Sequence, residues 1–247
     1  MPRLLQMRDA FSDSLTVKKP KVWDLPFRLC IAARTGAGKT NTLGNLLLRK
    51  DLYRGDFNGE DIYVFSGSLA TDTKLRTIID ELDIPASNCF AEYSDGALHA
   101  IYDHVTTEFR HCVDEGGRPP QSLIIIDDCS FGGKLSRNGA KDDALQRVAM
   151  NGRKLNVSLC VLVQKFSQLS TAVRENLSGA MLGSATNKQV DLIGGDWDHL
   201  KRKGDFAKMF REQTRGPHDY LILDLANPAL YLDHDFSPLP HMADSRQ

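Results

Sequence analysis

The sequence predicts an α/β fold: a doubly wound, mainly parallel sheet of five or more strands with helices on both faces. Three observations carry that prediction. Short, almost wholly apolar runs recur along the chain, segments with helical spacing separate them, and a glycine-rich turn joins the first run to the first helix. At 247 residues, with 41% hydrophobic and 26% charged residues, the chain has the composition of a globular protein large enough for one substantial domain. We read residues 1–20 as an N-terminal arm, 21–236 as the α/β domain and 237–247 as a C-terminal tail.

The elements follow in order. FRLCIAA (27–33) is a buried strand by length and apolar content, and KTNTLGNLLLRK after the turn carries Leu43, Leu46, Leu47 and Leu48 as a helix lying on a sheet would. DIYVFSG (61–67) is a second strand, TKLRTIIDEL (73–82) an amphipathic helix, and CFAEY (89–93) a weaker strand. ALHAIYDHVTTEFRHCV has helical spacing and ends at the breaker GGRPP. SLIIIDD (122–128) is the most apolar strand in the chain. The loop SFGGKLSRNGAK and a helix through DDALQRVAMNGRK lead to VSLCVLVQ (157–164). SGAMLGS (178–184) and DYLILDL (219–225) are two more strands, with a charged helical stretch through HLKRKGDFAKMFREQT between them.

The formal net charge of -1 excludes a protein that coats nucleic acid over its whole surface, while leaving room for a local basic patch or a charged pore formed by assembly. The five cysteines contain no CxxC pair and three lie in or beside apolar runs, as buried thiols of a reducing compartment do. No apolar stretch approaches the roughly 20 residues of a membrane span, and the first residues lack a secretory pattern. A cytoplasmic location is the expectation.

The turn after the first strand reads Ala33-Arg34-Thr35-Gly36-Ala37-Gly38-Lys39-Thr40, a Walker A pattern with alanine where its first glycine usually stands. Gly36 and Gly38 leave the backbone unhindered, so successive amides and the helix N-terminus can face an anion. The expected ATP cradle runs from Ala33 to Asn41, with Lys39 reaching the β- and γ-phosphates and the Thr40 hydroxyl on Mg2+. Leu123-Ile124-Ile125-Ile126-Asp127-Asp128 is then a Walker B strand, which ends where open α/β sheets bind ligands. Asp127 is the expected magnesium holder, and Asp128 orients or deprotonates the attacking water. Gln164, at the end of the next strand, either senses the γ-phosphate or positions that water.

Arg153 is the candidate arginine finger, acting in trans on a neighbour's ATP, with Arg174 as its rival. Asn187-Lys188-Gln189-Val190-Asp191 looks like a guanine-recognition motif but has one residue too many. A kinase would need an acceptor site and usually an Arg-rich lid; paired acids followed by a polar residue one strand later suit water activation better.

The whole arrangement resembles the genome-packaging ATPases of the FtsK/HerA superfamily, in the poxvirus-like form of large DNA viruses and virophages. The likeness covers roughly residues 20–236. It rests on ARTGAGKT, LIIIDD, NGRKLNVSLCVLVQ, VRENLSGAMLG and the ending FAKMFREQTRGPHDYLILDLANP. The resemblance implies a P-loop NTPase with a RecA-like three-layer sandwich, acting as a homo-oligomeric ring, hexamer or pentamer, that drives double-stranded DNA into a preformed capsid at its vertex. It also implies location in the host cytoplasm or on the virion. Alanine for glycine at 33 and aspartate for glutamate at 128 are its departures. A translocase needs phosphate contacts and no base reading, and Lys134, Arg137 and Lys141, on the loop after the second motif, are the candidates to line a central channel; the same residues also fit an ordinary surface loop. A cellular translocase or helicase, or a P-loop protein that uses nucleotide only as an assembly switch, are the alternatives.

Overall fold

Apolar runs too short for helices bury all their backbone polar groups by pairing side by side, and those runs build the sheet here. A computed structural model describes residues 14–129, 143–200, 202, 204–225 and 229–240. In chain order these form β1 (Arg28–Ala32), α1 (Lys39–Leu48), β2 (Ile62–Ser66), α2 (Thr73–Glu81), β3 (Cys89–Phe90), α3 (Asp95–Asp114) and β4 (Ser122–Asp127). They continue as α4 (Ala144–Asn151), β5 (Val157–Val163), α5 (Thr171–Arg174), β6 (Gly179–Leu182), α6 (Asn187–Trp197), α7 (Asp205–Gln213), β7 (Leu221–Asp224) and β8 (Leu230–Leu232).

The eight strands form one sheet in the order β3-β2-β4-β5-β1-β6-β7-β8. From β3 to β6 every pairing is parallel, whereas β7 joins β6 antiparallel and β8 joins β7 antiparallel. The sheet is therefore mainly parallel, as expected, with a two-stranded antiparallel extension that the sequence did not announce. The connection between β6 and β7 explains it. One crossover helix returns the chain to the edge where a parallel strand must start, whereas two helices in succession, α6 and α7, return it to the edge it left.

Side chains alternate across the pleat. Cys30, Ala32, Ile124, Ile126, Val161 and Val163 point into the core beneath α3, α4, α6 and α7, and Leu29, Ile31, Leu123, Ile125, Cys160 and Leu162 into the core beneath α1 and α2. The sandwich thus has three layers. Helix starts are fixed by short polar side chains that accept free backbone N–H groups: Asp72 from Lys74 and Leu75, Ser94 from Ala97, Asp143 from Gln146 and Ser170 from Val173.

Two details lie outside the boundaries read from the sequence. Within the stretch read as an arm, Leu15 is buried, Lys19 forms an ion pair with Asp56, and Val17 bridges to Leu25. Within the stretch read as a tail, Leu239 is buried and donates its N–H to the Tyr231 carbonyl at 2.9 Å. Among the described residues no helix is long and apolar enough to cross a membrane.

Candidate functional site

Strands β1, β4 and β5 end on the same edge of the sheet, and the loops that leave them bring the motif residues together. After β1 the chain turns through Gly36 and Gly38, with φ +78° and +93°. An L side chain in that left-handed region costs roughly 1–2 kcal/mol, which glycine avoids. Gly38 leads directly into α1, which has no side-chain cap and no acid in its first turn. Its first N–H groups are left for another acceptor, and an anion suits the helix dipole.

Ala33 is not among the residues with positive φ, so its methyl group meets no backbone strain. Space for it comes from β6. A Cβ on Gly183 would stand 2.8 Å from that of Ala33, so the glycine missing from position 33 is matched by one across the strand pair.

Lys39 Nζ curls back to donate to the Ala33 carbonyl at 3.2 Å, and Thr40 Oγ1 donates to Asp72 Oδ2 at 3.1 Å. Asp127 closes β4 at 3% exposure. Its carboxylate accepts no hydrogen bond from the described residues, and burial pushes its pKa up to about 6; Lys39 opposes the shift, and Asp128 and Asp72 add to it. A buried acid in that condition calls for a cation. Asp128 turns the chain with φ +49°, a conformation that aspartate tolerates better than most residues, and its Oδ1 accepts from Gln164 Nε2 at 2.9 Å. The turn after β5 is held by Gln168 Oε1, which accepts from Gln164 N at 3.0 Å and Lys165 N at 2.8 Å.

Lys39, Thr40, Asp127, Asp128 and Gln164 therefore gather at one edge, with Arg34, Thr35 and Asn41 exposed on the loop rim. Beside them opens a cleft of about 900 Å3, walled by Ala33, Arg34, Gln164, Gly183, Thr186 and Gln189. Thr40 and Asp127 offer a hydroxyl and a carboxylate, hard oxygen donors that suit Mg2+, which usually takes one or two protein carboxylates and keeps substrate phosphates and water as its other ligands. No group of three or more His, Cys, Asp or Glu side chains able to hold a metal ion occurs among the described residues.

The two arginines sit elsewhere. Arg153 is exposed before β5, on the edge opposite the glycine loop, near Arg28, whose pKa is lowered by burial first and by the Arg153 charge second. Arg174 is 8% exposed; it forms an ion pair with Asp196, donates to Thr171 Oγ1 at 3.1 Å and lies 5.2 Å from the centre of the Phe166 ring. Its guanidinium is engaged inside its own subunit. Lys134, Arg137 and Lys141 lie outside the described residues.

Three residues at this edge were not anticipated. Asp72 has a sequence signal, a short acid directly before an amphipathic helix, but that signal reads as a cap and not as part of a site. His218 and Tyr220, just before β7, both contact the Ala37 carbonyl; the ending that holds them carries part of the family resemblance but gives neither residue a role.

The family described as Poxvirus A32 protein matches residues 15–223. By sequence, no curated protein matches the chain. Among solved structures it is similar to the DNA-packaging ATPase B204 from Sulfolobus turreted icosahedral virus, with a TM-score of 0.58 and 12% identity over 87% of this chain and 98% of that one. B204, the genome packaging NTPase of Sulfolobus turreted icosahedral virus 2, in complex with AMPPCP, gives a TM-score of 0.55 and 12% identity over 81% and 93%. EssC (ATPases 2 and 3) from Geobacillus thermodenitrificans gives 0.54 and 12% over 81% of this chain and 38% of that one. At such identities the likeness is one of fold.

Proposed function

Because the chain belongs to the poxvirus A32 protein family, we propose that it is an ATP-hydrolysing motor that drives double-stranded DNA into a preformed viral capsid. The observation that carries the reading is the convergence of Lys39, Thr40, Asp127 and the hydrogen-bonded pair Asp128–Gln164 on the loop edge of a parallel sheet. B204, of similar fold, is described as a genome packaging NTPase and is seen with an ATP analogue.

The amides of the glycine loop and of the first turn of α1 bind the phosphates, and Lys39 leaves the Ala33 carbonyl to reach the β- and γ-phosphoryl oxygens. Thr40 and Asp127 would hold Mg2+, which would supply neutralisation of the phosphate charge. Asp128 takes the proton of the attacking water at its carboxylate, and Gln164 fixes the orientation of that carboxylate. ATP and water thereby become ADP and phosphate.

Arg153 serves as the finger in trans. Strand β5, Val157–Val163, separates Arg153 from its own glycine loop by about 23 Å at 3.3 Å per residue, so an ATP that meets Arg153 belongs to a neighbouring subunit. That arrangement supports a ring of identical subunits, hexamer or pentamer, seated at the capsid vertex, in the host cytoplasm or on the virion. Lys134, Arg137 and Lys141 follow the second motif in the chain and grip phosphates in the channel, which makes DNA binding indifferent to sequence and sensitive to salt.

ATPase activity measured against protein concentration, with and without sheared double-stranded DNA, tests the proposal. Activity that climbs steeply with concentration, rises with DNA and falls roughly 10^3-fold or more in Arg153→Ala is expected. Tight ATP binding with no turnover under all these conditions would instead favour a nucleotide-operated assembly switch.

A further inference from the structure

We propose that His218 and Tyr220 are positioning residues that aim the Gly38 amide at the nucleotide phosphates, an inference that rests on the reading of the glycine loop as an ATP cradle. Both reach the same atom. Tyr220 Oη donates to the Ala37 carbonyl at 3.0 Å, and His218 Nδ1 lies 3.2 Å from it. A carbonyl only accepts, so the bond requires the tautomer with hydrogen on Nδ1.

The Ala37 carbonyl and the Gly38 N–H belong to one planar trans peptide and point in opposite directions. Tethering the oxygen on one side therefore fixes the N–H toward the other, where the anion binds. The tether has work to do at this position. Gly36 and Gly38 flank Ala37 with φ +78° and +93°, and glycine crosses between left- and right-handed backbone at little cost. An untethered peptide between them would also sample the reversed orientation, which presents a carbonyl oxygen to a phosphate.

The anchors are set by the fold. Tyr220 is 5% exposed and immediately precedes β7, whose Leu221 pairs with Leu182 of β6. Asp219 Oδ2 closes the turn before it by accepting from Gly216 N at 2.7 Å. The His218 ring lies so close to the loop that its Nδ1 would be 3.3 Å from a Cβ at position 38. Antiparallel β7 starts at the edge where β1 ends, and that alone brings residues 218–220 onto the loop.

The test is titration of full-length protein with fluorescent ATP and ADP in the presence of Mg2+, alongside steady-state turnover, for Tyr220→Phe, His218→Ala and His218→Asn. Loss of one neutral hydrogen bond should weaken ATP and ADP roughly three- to tenfold in Tyr220→Phe and in His218→Ala, and more in the double variant. KM should rise while kcat stays near the parent's, because a ground-state cradle is what has loosened. His218→Asn, which retains a short N–H donor, should recover much of the affinity, a rescue that a general structural role would not show. His218 is exposed, so its variants test the tether without disturbing the core. Parent-like affinity in both single variants and in the double variant, or a fall in kcat with KM unchanged, overturns the inference and leaves the site reading intact. Failure of the parent to bind ATP overturns both.

Discussion

Strands β1, β4 and β5 reach the site with their C-terminal ends, whereas β7 reaches it with its beginning. The parallel strands place their functional groups directly after an apolar run: the glycine loop and Lys39 after β1, Asp127 and Asp128 at the close of β4, Gln164 after β5. The antiparallel strand places His218 and Tyr220 before its run, on a connection that two helices precede. The first arrangement puts chemistry at fixed short spacing from a strand and is readable as motif. The second depends on how many helices the chain makes on its way back, which no local pattern records.

Substitutions in the two halves should differ in kind as well as in size, and the sharpest case lies in the parallel half. Asp128→Asn keeps the Gln164 contact in reach but removes the base; turnover is expected to fall roughly 10^2- to 10^4-fold with ATP affinity little changed. Steady-state kinetics with parallel binding titrations checks this, and parent-like turnover would remove Asp128 from its assigned role. The contrast would then rest on the tether alone.

Asp127 sharpens the comparison through stability. Its folded-state pKa lies above the value of an unfolded aspartate, so between about pH 4 and pH 6 the folded protein keeps a proton that the unfolded chain has released. Stability contributed by this group is present below pH 4 and is lost as pH rises through 6, amounting to about 3 kcal/mol. Asp127→Asn should therefore unfold at higher denaturant than the parent at pH 7, by up to that amount without nucleotide, and the gap should close toward pH 4. The same variant should lose magnesium-dependent turnover. A mutant no more stable than the parent at pH 7 would mean that the carboxylate is solvated after all.

The smallest effect is expected at the seam between the halves. Gly183→Ala brings two methyl groups to 2.8 Å and should cost about 1–3 kcal/mol, while adding Ala33→Gly should restore most of it. Thermal melting of the single and double variants decides; independent costs would show that the two positions do not share one space.

Much of the site was legible because its elements are local. LIIIDD combines five fully or almost fully buried positions of β4 with the acid that follows, and ARTGAGKT needs nothing beyond a strand before it and a helix after it. What escaped was short, interrupted or distant. Strand β8 is three residues long, below the length at which alternation can be recognised. Helix α6 carries Gly194 and Gly195, poor helix formers, yet Gly194 lets the Phe206 ring of α7 approach to 3.1 Å of its absent Cβ. That packing belongs to tertiary structure. Asp72 was visible only as a cap, because its third bond, from Thr40, spans 32 residues.

The tether also sets an order of events during synthesis. Tyr220 follows Ala37 by 183 residues, so at translation rates of roughly 5–20 residues per second the glycine loop leaves the ribosome about ten to forty seconds before its anchors exist. A nascent chain can build β1, β4 and β5 in that interval while the phosphate cradle is still unlatched. Nucleotide would then be gripped in full only by a finished chain, and ATP would stabilise completed molecules over truncated ones.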